Sequence, residues 1–204
     1  MKILIITEKA NAARRIATIL SDGNSHSASA GGVTSLTFSI GNDDYNVVSL
    51  RGHIMELDYP EKYGDWKATS PVELVSAPQI KTVRVKSILS KISELAKESD
   101  EIIIATDYDR EGELIGMETV KAANADMAKV RRAKFSALTK GEIKNAFANL
   151  VEPDEKLANA ARRIATILSD GKPHSASAGG VTSLTFNIGS DDYNVVSLRG
   201  HIME

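Results

Sequence analysis

Glu101-Ile-Ile-Ile-Ala-Thr106 runs straight into Asp107-Tyr-Asp109-Arg-Glu111-Gly-Glu113, and the reading of this stretch decides the fold. An apolar run of strand length with no polar alternation is the pattern of a strand covered on both faces, as in a parallel sheet. The N-terminus repeats the arrangement, since Lys2-Ile-Leu-Ile-Ile-Thr7 runs into Glu8-Lys9. Helical periodicity follows each strand, over Ala10–Leu20 (ending near Gly23) and over Glu111–Ala123. Val130–Phe135 reads as a further strand, and Thr139–Leu150 as a helix opened by the capping-box pattern Thr139-Lys-Gly-Glu142. Alternating strands and helices place the chain in the α/β class, with a mainly parallel sheet flanked by helices.

The remaining segments read less sharply. Val33–Ile40 and Tyr45–Leu50 are expected to form a hairpin around Gly41-Asn-Asp-Asp44. Leu57–Pro71 reads as a loop, with Trp66 in a small satellite core. Ile80–Ser99 carries Val83, Ile88, Ile92 and Leu95 at helical spacing.

Ligand sites in open parallel sheets lie at the carboxyl ends of the strands. If the two apolar strands are neighbours, Glu8, Asp107, Asp109 and Glu111 converge there, and such a cluster repels itself unless a cation or shifted protonation relieves it. Asp107 and Asp109 alternate, so extended backbone puts both on one side, with Glu111 in the first helical turn. That pattern suits a hard divalent cation, Mg²⁺ or Mn²⁺, which keeps waters for a phosphate substrate. An isolated Asp-x-Asp would read as carboxylates complementing a helix dipole. Two strands delivering acids to one edge favour the metal.

Composition narrows the classes. The 204 residues contain no cysteine, which excludes disulfides, thiolate zinc, iron–sulfur clusters and a cysteine nucleophile. Lys and Arg number 25 against 27 Asp and Glu, so nucleic-acid affinity would need a local patch. The apolar run Ile3–Ile6 is too short for a signal peptide or a membrane span, so a soluble, cytoplasmic protein with no membrane partner is expected.

Ala10–Glu56 recurs as Ala158–Glu204, differing only at Asn24/Lys172, Ser25/Pro173, Ser39/Asn187 and Asn42/Ser190. Natural solenoid repeats diverge further and come in larger numbers, so this pair reads as a recent or engineered duplication. The expected division is 1–157 as the domain proper and 158–204 as a second copy of residues 10–56, a duplicated helix–hairpin segment. The first copy follows an apolar strand. The second follows Val151-Glu-Pro-Asp-Glu-Lys-Leu157 and has none. One berth beside the first strand cannot hold both, which leaves added packing or a domain-swapped homodimer.

Ile5-Ile-Thr-Glu-Lys9, Ala13-Arg-Arg-Ile-Ala17 and Ala105-Thr-Asp-Tyr-Asp-Arg-Glu-Gly-Glu-Leu-Ile115 together resemble the Toprim domain of type IA DNA topoisomerases. The resemblance is strongest to the archaeal topoisomerase I and topoisomerase III branch, and it covers about residues 1–157. Arg51-Gly-His-Ile-Met-Glu-Leu57 and Val130-Arg-Arg-Ala-Lys-Phe-Ser-Ala-Leu-Thr139 resemble further segments of that family, while Ala10 stands where its usual proline would be. The resemblance implies a Rossmann-like Toprim sheet. It implies Glu8 as general acid/base toward a sugar oxygen, Lys9 as a contact to the scissile phosphate, and Asp107, Asp109 and Glu111 as holders of Mg²⁺.

In that family the nucleophilic tyrosine lies in a separate domain, and Tyr45, Tyr59, Tyr63, Tyr108 and Tyr193 match no such motif. The expectation is a half-site, an enzyme fragment inactive alone that binds metal and, weakly, single-stranded DNA. Arg14, Arg15, Arg51 and Lys129–Lys134 are the candidate phosphate contacts, with a solvated charged face as the alternative. His53 is expected near the acidic cleft as a hydrogen-bonding group in the DNA-binding set, and His26 and His174 in solvated Ser-rich loops. Three other readings stay open. They are a nuclease-like or primase-like Toprim enzyme, a phosphatase with Asp107 as nucleophile and Asp109 as acid, and an engineered folding or domain-swap protein in which the site residues are passengers.

Overall fold

The computed structural model describes residues 1–30, 33–64, 69–70, 73, 77–78 and 80–158, with the backbone of 174–178, 181–188 and 191–198. Trp66 and His201 lie outside the described residues. The chain divides into two compact units, Met1–Ala158 and Asn159–Glu204.

In the first unit β1 (Lys2–Thr7) is the centre of a six-stranded sheet. It pairs in parallel on one side with β4 (Asp43–Ser49), from Lys2↔Asp44 to Thr7↔Ser49. On the other it pairs in parallel with β7 (Glu101–Ile104), from Ile3↔Glu101 to Ile6↔Ile104. Beyond β7 lies β8 (Val130–Arg132), also parallel. Beyond β4, β3 (Val33–Ile40) and β2 (His26–Ala30) continue the sheet antiparallel. The sheet is therefore mainly parallel, and the two apolar runs, β1 and β7, are adjacent interior strands of it.

Helices cover both faces. Leu4 and Ile6 point to one face, where they share a core with Ile88 and Ile92 of α2 (Lys86–Glu98) and Ile115 and Val120 of α3 (Arg110–Ala122). Ile3 and Ile5 point to the other, against Ile16 and Ala17 of α1 (Ala10–Leu20) and Ile143 and Ala146 of α4 (Lys140–Ala148). Each fully buried aliphatic side chain contributes about 1.5–3 kcal/mol, and burial on both faces explains why β1 shows no polar alternation. No helix among the described residues is long and apolar enough to cross a membrane.

Several boundaries depart from the sequence reading. The helix expected over Ile80–Ser99 begins only at Lys86, because Ile80–Val83 is a strand (β6) paired antiparallel with β5 (Met55–Asp58). Val83 pairs with Met55 rather than lying on the helical stripe of Ile88 and Ile92, and the β-branched Ile80-Lys-Thr-Val83 run was the local signal. The loop expected over Leu57–Pro71 accordingly contains the end of β5 and a 3₁₀ turn at Glu61–Tyr63. The hairpin turn is tighter than expected, since Ile40 already pairs with Asp43.

His26–Ala30 is an edge strand rather than a loop. Ser27, Ala28 and Ser29 are small and exposed and give no apolar signal, and the backbone ladder from His26↔Thr37 to Ala30↔Val33 holds the strand. β8 ends at Arg132, short of Phe135. α4 opens with Thr139 accepting from the Glu142 amide at 3.4 Å, while the Glu142 carboxylate turns back to the Ser136 amide.

In the second unit, β9 (His174–Ala178), β10 (Val181–Ile188) and β11 (Asp191–Leu198) form a three-stranded antiparallel sheet. Its ladders, His174↔Thr185 and Ser183↔Val196, repeat those of His26↔Thr37 and Ser35↔Val48 in the first copy.

Candidate active site at the strand ends

The parallel pairing of β1 and β7 brings their carboxyl ends side by side. Ala105 donates its amide to the Ile6 carbonyl at 2.7 Å, continuing the pairing past β7, and the chain beyond each strand turns into a helix. Lys9 is the extended residue before α1, and its ammonium lies 2.7 Å from Asp107 Oδ2 and 3.6 Å from Glu8 Oε1. Asp109 is the residue before α3, and its Oδ1 accepts the Gly112 amide at 2.7 Å. Glu111, in the first turn of α3, receives His53 Nε2 at 2.8 Å.

His53 arrives through a sharp reversal after β4. Arg51 and Gly52 both have positive φ (59° and 106°), and the Gly52 amide donates to the Glu8 carbonyl at 3.3 Å. A non-glycine residue in the left-handed region costs of order 1 kcal/mol or more, so surrounding contacts hold this turn. The Ser49 hydroxyl, which also donates to the Glu8 carbonyl, is one of them.

The electrostatics follow from this geometry. Burial pushes the Glu8 carboxyl above its ordinary value; its side chain is only 17% exposed. The Asp107, Glu111 and Asp109 carboxylates push it the same way, and Lys9 alone opposes them. The Lys9 amine is held above its usual value, chiefly by its hydrogen bond to Asp107 and next by the charge on Glu8. Lys9 therefore serves as a stand-in cation between two carboxylates.

A buried pair fixes the scaffold beneath these residues. Arg132 and Glu113 are fully buried, with Arg132 Nε 2.7 Å from Glu113 Oε2. The guanidinium also donates to the carbonyls of Ile104, Thr106, Ala133 and Asp107 at 2.9–3.1 Å, and so grips the backbone that carries Asp107. The second Glu113 oxygen accepts the Asp154 amide at 2.7 Å. A Cβ at Gly112 would sit 2.1 Å from the Asp107 carbonyl oxygen, so only glycine lets α3 start this close to β7. Gly116 has the same office against Ile104, where a Cβ would come within 2.4 Å of Cγ2.

This pair was missed in the sequence. Glu113 read as one more acid of the motif, and Arg132 as part of a phosphate-contacting Lys129–Lys134 stretch. Arg132 is inaccessible to phosphate, because its side chain is fully buried on Glu113 and four backbone carbonyls. The available signal was alternation, since Val130, Arg132 and Lys134 share one side of an extended segment and Val130 is apolar. Its neighbours are engaged too, with Lys129 on the Ser99 carbonyl, Arg131 on Glu152, and Lys134 over the Tyr108 ring at 5.0 Å.

An open cleft of about 530 Å³ lies at the strand ends, lined by Lys9, Asn11, Asp107, Tyr108, Asp109 and Ser136 among others. Arg14 and Arg15 lie on α1 along a neighbouring depression that shares Asn11 with the cleft. Arg14 donates to Asn11 and Arg15 to the Leu138 carbonyl. Arg51 and Arg14 line a separate pocket on the β3–β4 side of α1. Among the described residues no three acidic or histidine side chains are gathered as a coordinating set. Asp107, Asp109 and Glu111 are each engaged elsewhere, by Lys9, the Gly112 amide and His53. Their donors are all hard carboxylate oxygens, which fit Mg²⁺ or Mn²⁺ rather than a soft metal.

Comparison with known proteins agrees with this architecture. The family model described as Toprim domain matches residues 3–138. DNA topoisomerase 1 of Archaeoglobus fulgidus is 46% identical over 164 residues, which is 79% of this chain and 24% of that protein. DNA topoisomerase 1 of Thermoplasma acidophilum is 42% identical over 158 residues, 78% of this chain and 20% of that protein. The chain thus spans about a fifth to a quarter of the curated relatives it matches. The full-length topoisomerase I structure from Thermotoga maritima shares the fold, with a TM-score of 0.52 at 19% identity over 92% of this chain and 35% of that one.

Proposed function

The chain belongs to the Toprim domain family, and on that premise we propose that it carries the acid/base and metal half of a type IA DNA topoisomerase site. The observation that carries this reading is the Lys9 ammonium lying between Glu8 of one parallel strand end and Asp107 of the next. In the proposed role Glu8 gives and takes a proton at the sugar oxygen of the scissile phosphodiester. Its raised pKa supports that role, because a carboxyl that holds its proton more readily can donate it. Lys9, already poised beside Asp107, makes the positive contact to the phosphate. Asp107, Asp109 and Glu111 would hold Mg²⁺ or Mn²⁺, which when bound neutralises phosphate charge and orients the ester. Arg14 and Arg15 beside the cleft, Arg51 in the separate pocket on the β3–β4 side of α1, and His53 at Glu111 would supply contacts to a single DNA strand.

None of the five tyrosines carries the strand-cleaving motif, so this chain alone binds metal and, weakly, single-stranded DNA without relaxing supercoils. Calorimetric titration of Mg²⁺ into the chain, beside Asp107→Asn/Asp109→Asn, tests the reading. Saturable heat in the parent that vanishes in the variant is expected. Equal or absent heat in both would overturn the metal role, and relaxation of supercoiled DNA by the pure chain would overturn the half-site.

A further inference from the structure

We propose that residues 158–204 are a docking module for the first strand of a second molecule of this chain, with β11 pairing in parallel with the partner's β1. Within the first unit, β1 holds β4 in the register Lys2↔Asp44, Ile5↔Val47 and Thr7↔Ser49. The strand equivalent to β4 in the second copy is β11, which among the described residues is an edge strand paired only with β10. Such an edge is a template for strand addition.

The two copies are interchangeable at that edge. The hairpin registers coincide, and the sequence facing β1, Asp44–Ser49, recurs unchanged as Asp192–Ser197. The four positions at which the copies differ are, in the first copy, exposed (Asn24, Ser39, Asn42) or half-buried (Ser25). No residue that seats the first copy against β1 is altered, so the exchanged pairing runs Lys2↔Asp192 to Thr7↔Ser197. One difference marks the unfilled state. β11 zips two pairs further onto β10, at Thr182↔Ser197 and Val181↔Leu198, where in the first copy Ser49 pairs with Thr7 and the Leu50 amide donates to the Thr7 carbonyl.

The partner is a second molecule because of how each copy is tethered. α1 packs with Ile3 and Ile5 on one face of the sheet. Ala158, the second copy's counterpart of Ala10, is buried with Leu4 and Ile6 on the opposite face. The first copy is tethered to β1 by Glu8–Lys9 alone, whereas the second begins at Ala158, 151 positions after Thr7 in sequence. Tethering favours the first copy in its own chain, so the second copy takes the partner's β1 where the partner's own β4 has left that edge, as in domain swapping.

The test disables the first copy in the full chain with Ile16→Asp/Val47→Asp, two charges at fully buried positions. The expected result is a folded dimer whose Tm rises with protein concentration. In the cysteine-free background, added Lys2→Cys/Asp192→Cys links it into a covalent dimer. Adding Ile164→Asp/Val195→Asp, the same lesion in the second copy, should abolish the fold. The proposal is overturned if the first variant is no more folded than the doubly lesioned one. A folded monomer, or a cysteine bridge closed within one chain, overturns it equally.

Discussion

Glu113→Ala removes the one carboxylate that, among the described residues, pairs with a fully buried guanidinium, and the structure sets what that costs. Arg132 Nε and Glu113 Oε2 are 2.7 Å apart, with both side chains at zero exposure. Breaking a buried ion pair from one side costs about 3–5 kcal/mol, because a desolvated charge is left behind. Arg132 keeps four backbone carbonyls as acceptors, which places the electrostatic loss at the lower end. The half-buried Asp154 amide also loses its acceptor, a further penalty of about 1 kcal/mol, at the lower end for an unpaired donor. A total near 4 kcal/mol is a large share of a stability of roughly 5–15 kcal/mol. At about 2–4 °C per kcal/mol, the Tm falls on the order of 10 °C.

Thermal and urea melts followed by far-ultraviolet circular dichroism measure this loss. Amide exchange over 104–113 should rise more than elsewhere, because the grip on the end of β7 has gone. The apolar replacement Glu113→Leu/Arg132→Met separates a scaffold from a volume filler. Such replacements are often neutral for a simple buried pair, but here they also strip the donors from four carbonyls, so no recovery is expected. A double variant melting within about 2 °C of the parent, or a Glu113→Ala loss below about 1 kcal/mol, would refute the reasoning.

Gly112→Ala drives a Cβ into the Asp107 carbonyl and should destabilise by about 3 kcal/mol or more, read by the same melts. Gly141→Ala in α4 meets nothing within 4 Å and should be neutral or stabilising by about 0.5 kcal/mol. Because folding raises the Glu8 pKa, the folded chain binds more protons than the unfolded one between the ordinary carboxyl value and the raised one, and stability falls as pH rises through that window. Glu8→Gln should therefore be at least as stable as the parent at neutral pH, with the gap closing below about pH 4.5, which paired urea midpoints across pH will show. If α1 guides a DNA strand, Arg14→Gln/Arg15→Gln should reduce the salt dependence of oligonucleotide binding by about one unit of log–log slope per lost phosphate contact, measured by anisotropy. An unchanged slope removes those residues from the interface.

The sheet order was legible where burial on both faces leaves its mark. Lys2–Thr7 and Glu101–Ile104 are interior strands of one parallel sheet, as their apolar runs implied; their adjacency, only a condition in the sequence, brings Glu8, Lys9 and Asp107 together. Legibility failed where a strand's stabilisation comes from backbone ladders alone. His26-Ser-Ala-Ser-Ala30 offers no apolar side chain to read, and Ile80–Val83 mimics the first turn of the helix that follows it. Arg132 was misread for the converse reason, since sequence reports its charge and not the four carbonyls and one carboxylate that make burial tolerable.

The boundary of the duplication has a consequence for how function and assembly separate. Glu8 and Lys9 precede the first copy, and Asp107, Asp109 and Glu111 lie between the copies, so neither copy carries any of the proposed acid/base or metal groups. Arg14, Arg15, Arg51 and His53 do lie inside the first copy and recur unchanged as Arg162, Arg163, Arg199 and His201. Exchanging one copy for the other in the berth beside β1 would thus leave every proposed site residue type in place. Metal titrations and DNA-binding curves are therefore blind to the exchange, and only probes that distinguish position 44 from position 192 report it. A Lys2→Cys/Asp44→Cys bridge closing within one chain, beside a Lys2→Cys/Asp192→Cys bridge closing between two, would show both occupants at work on the same strand.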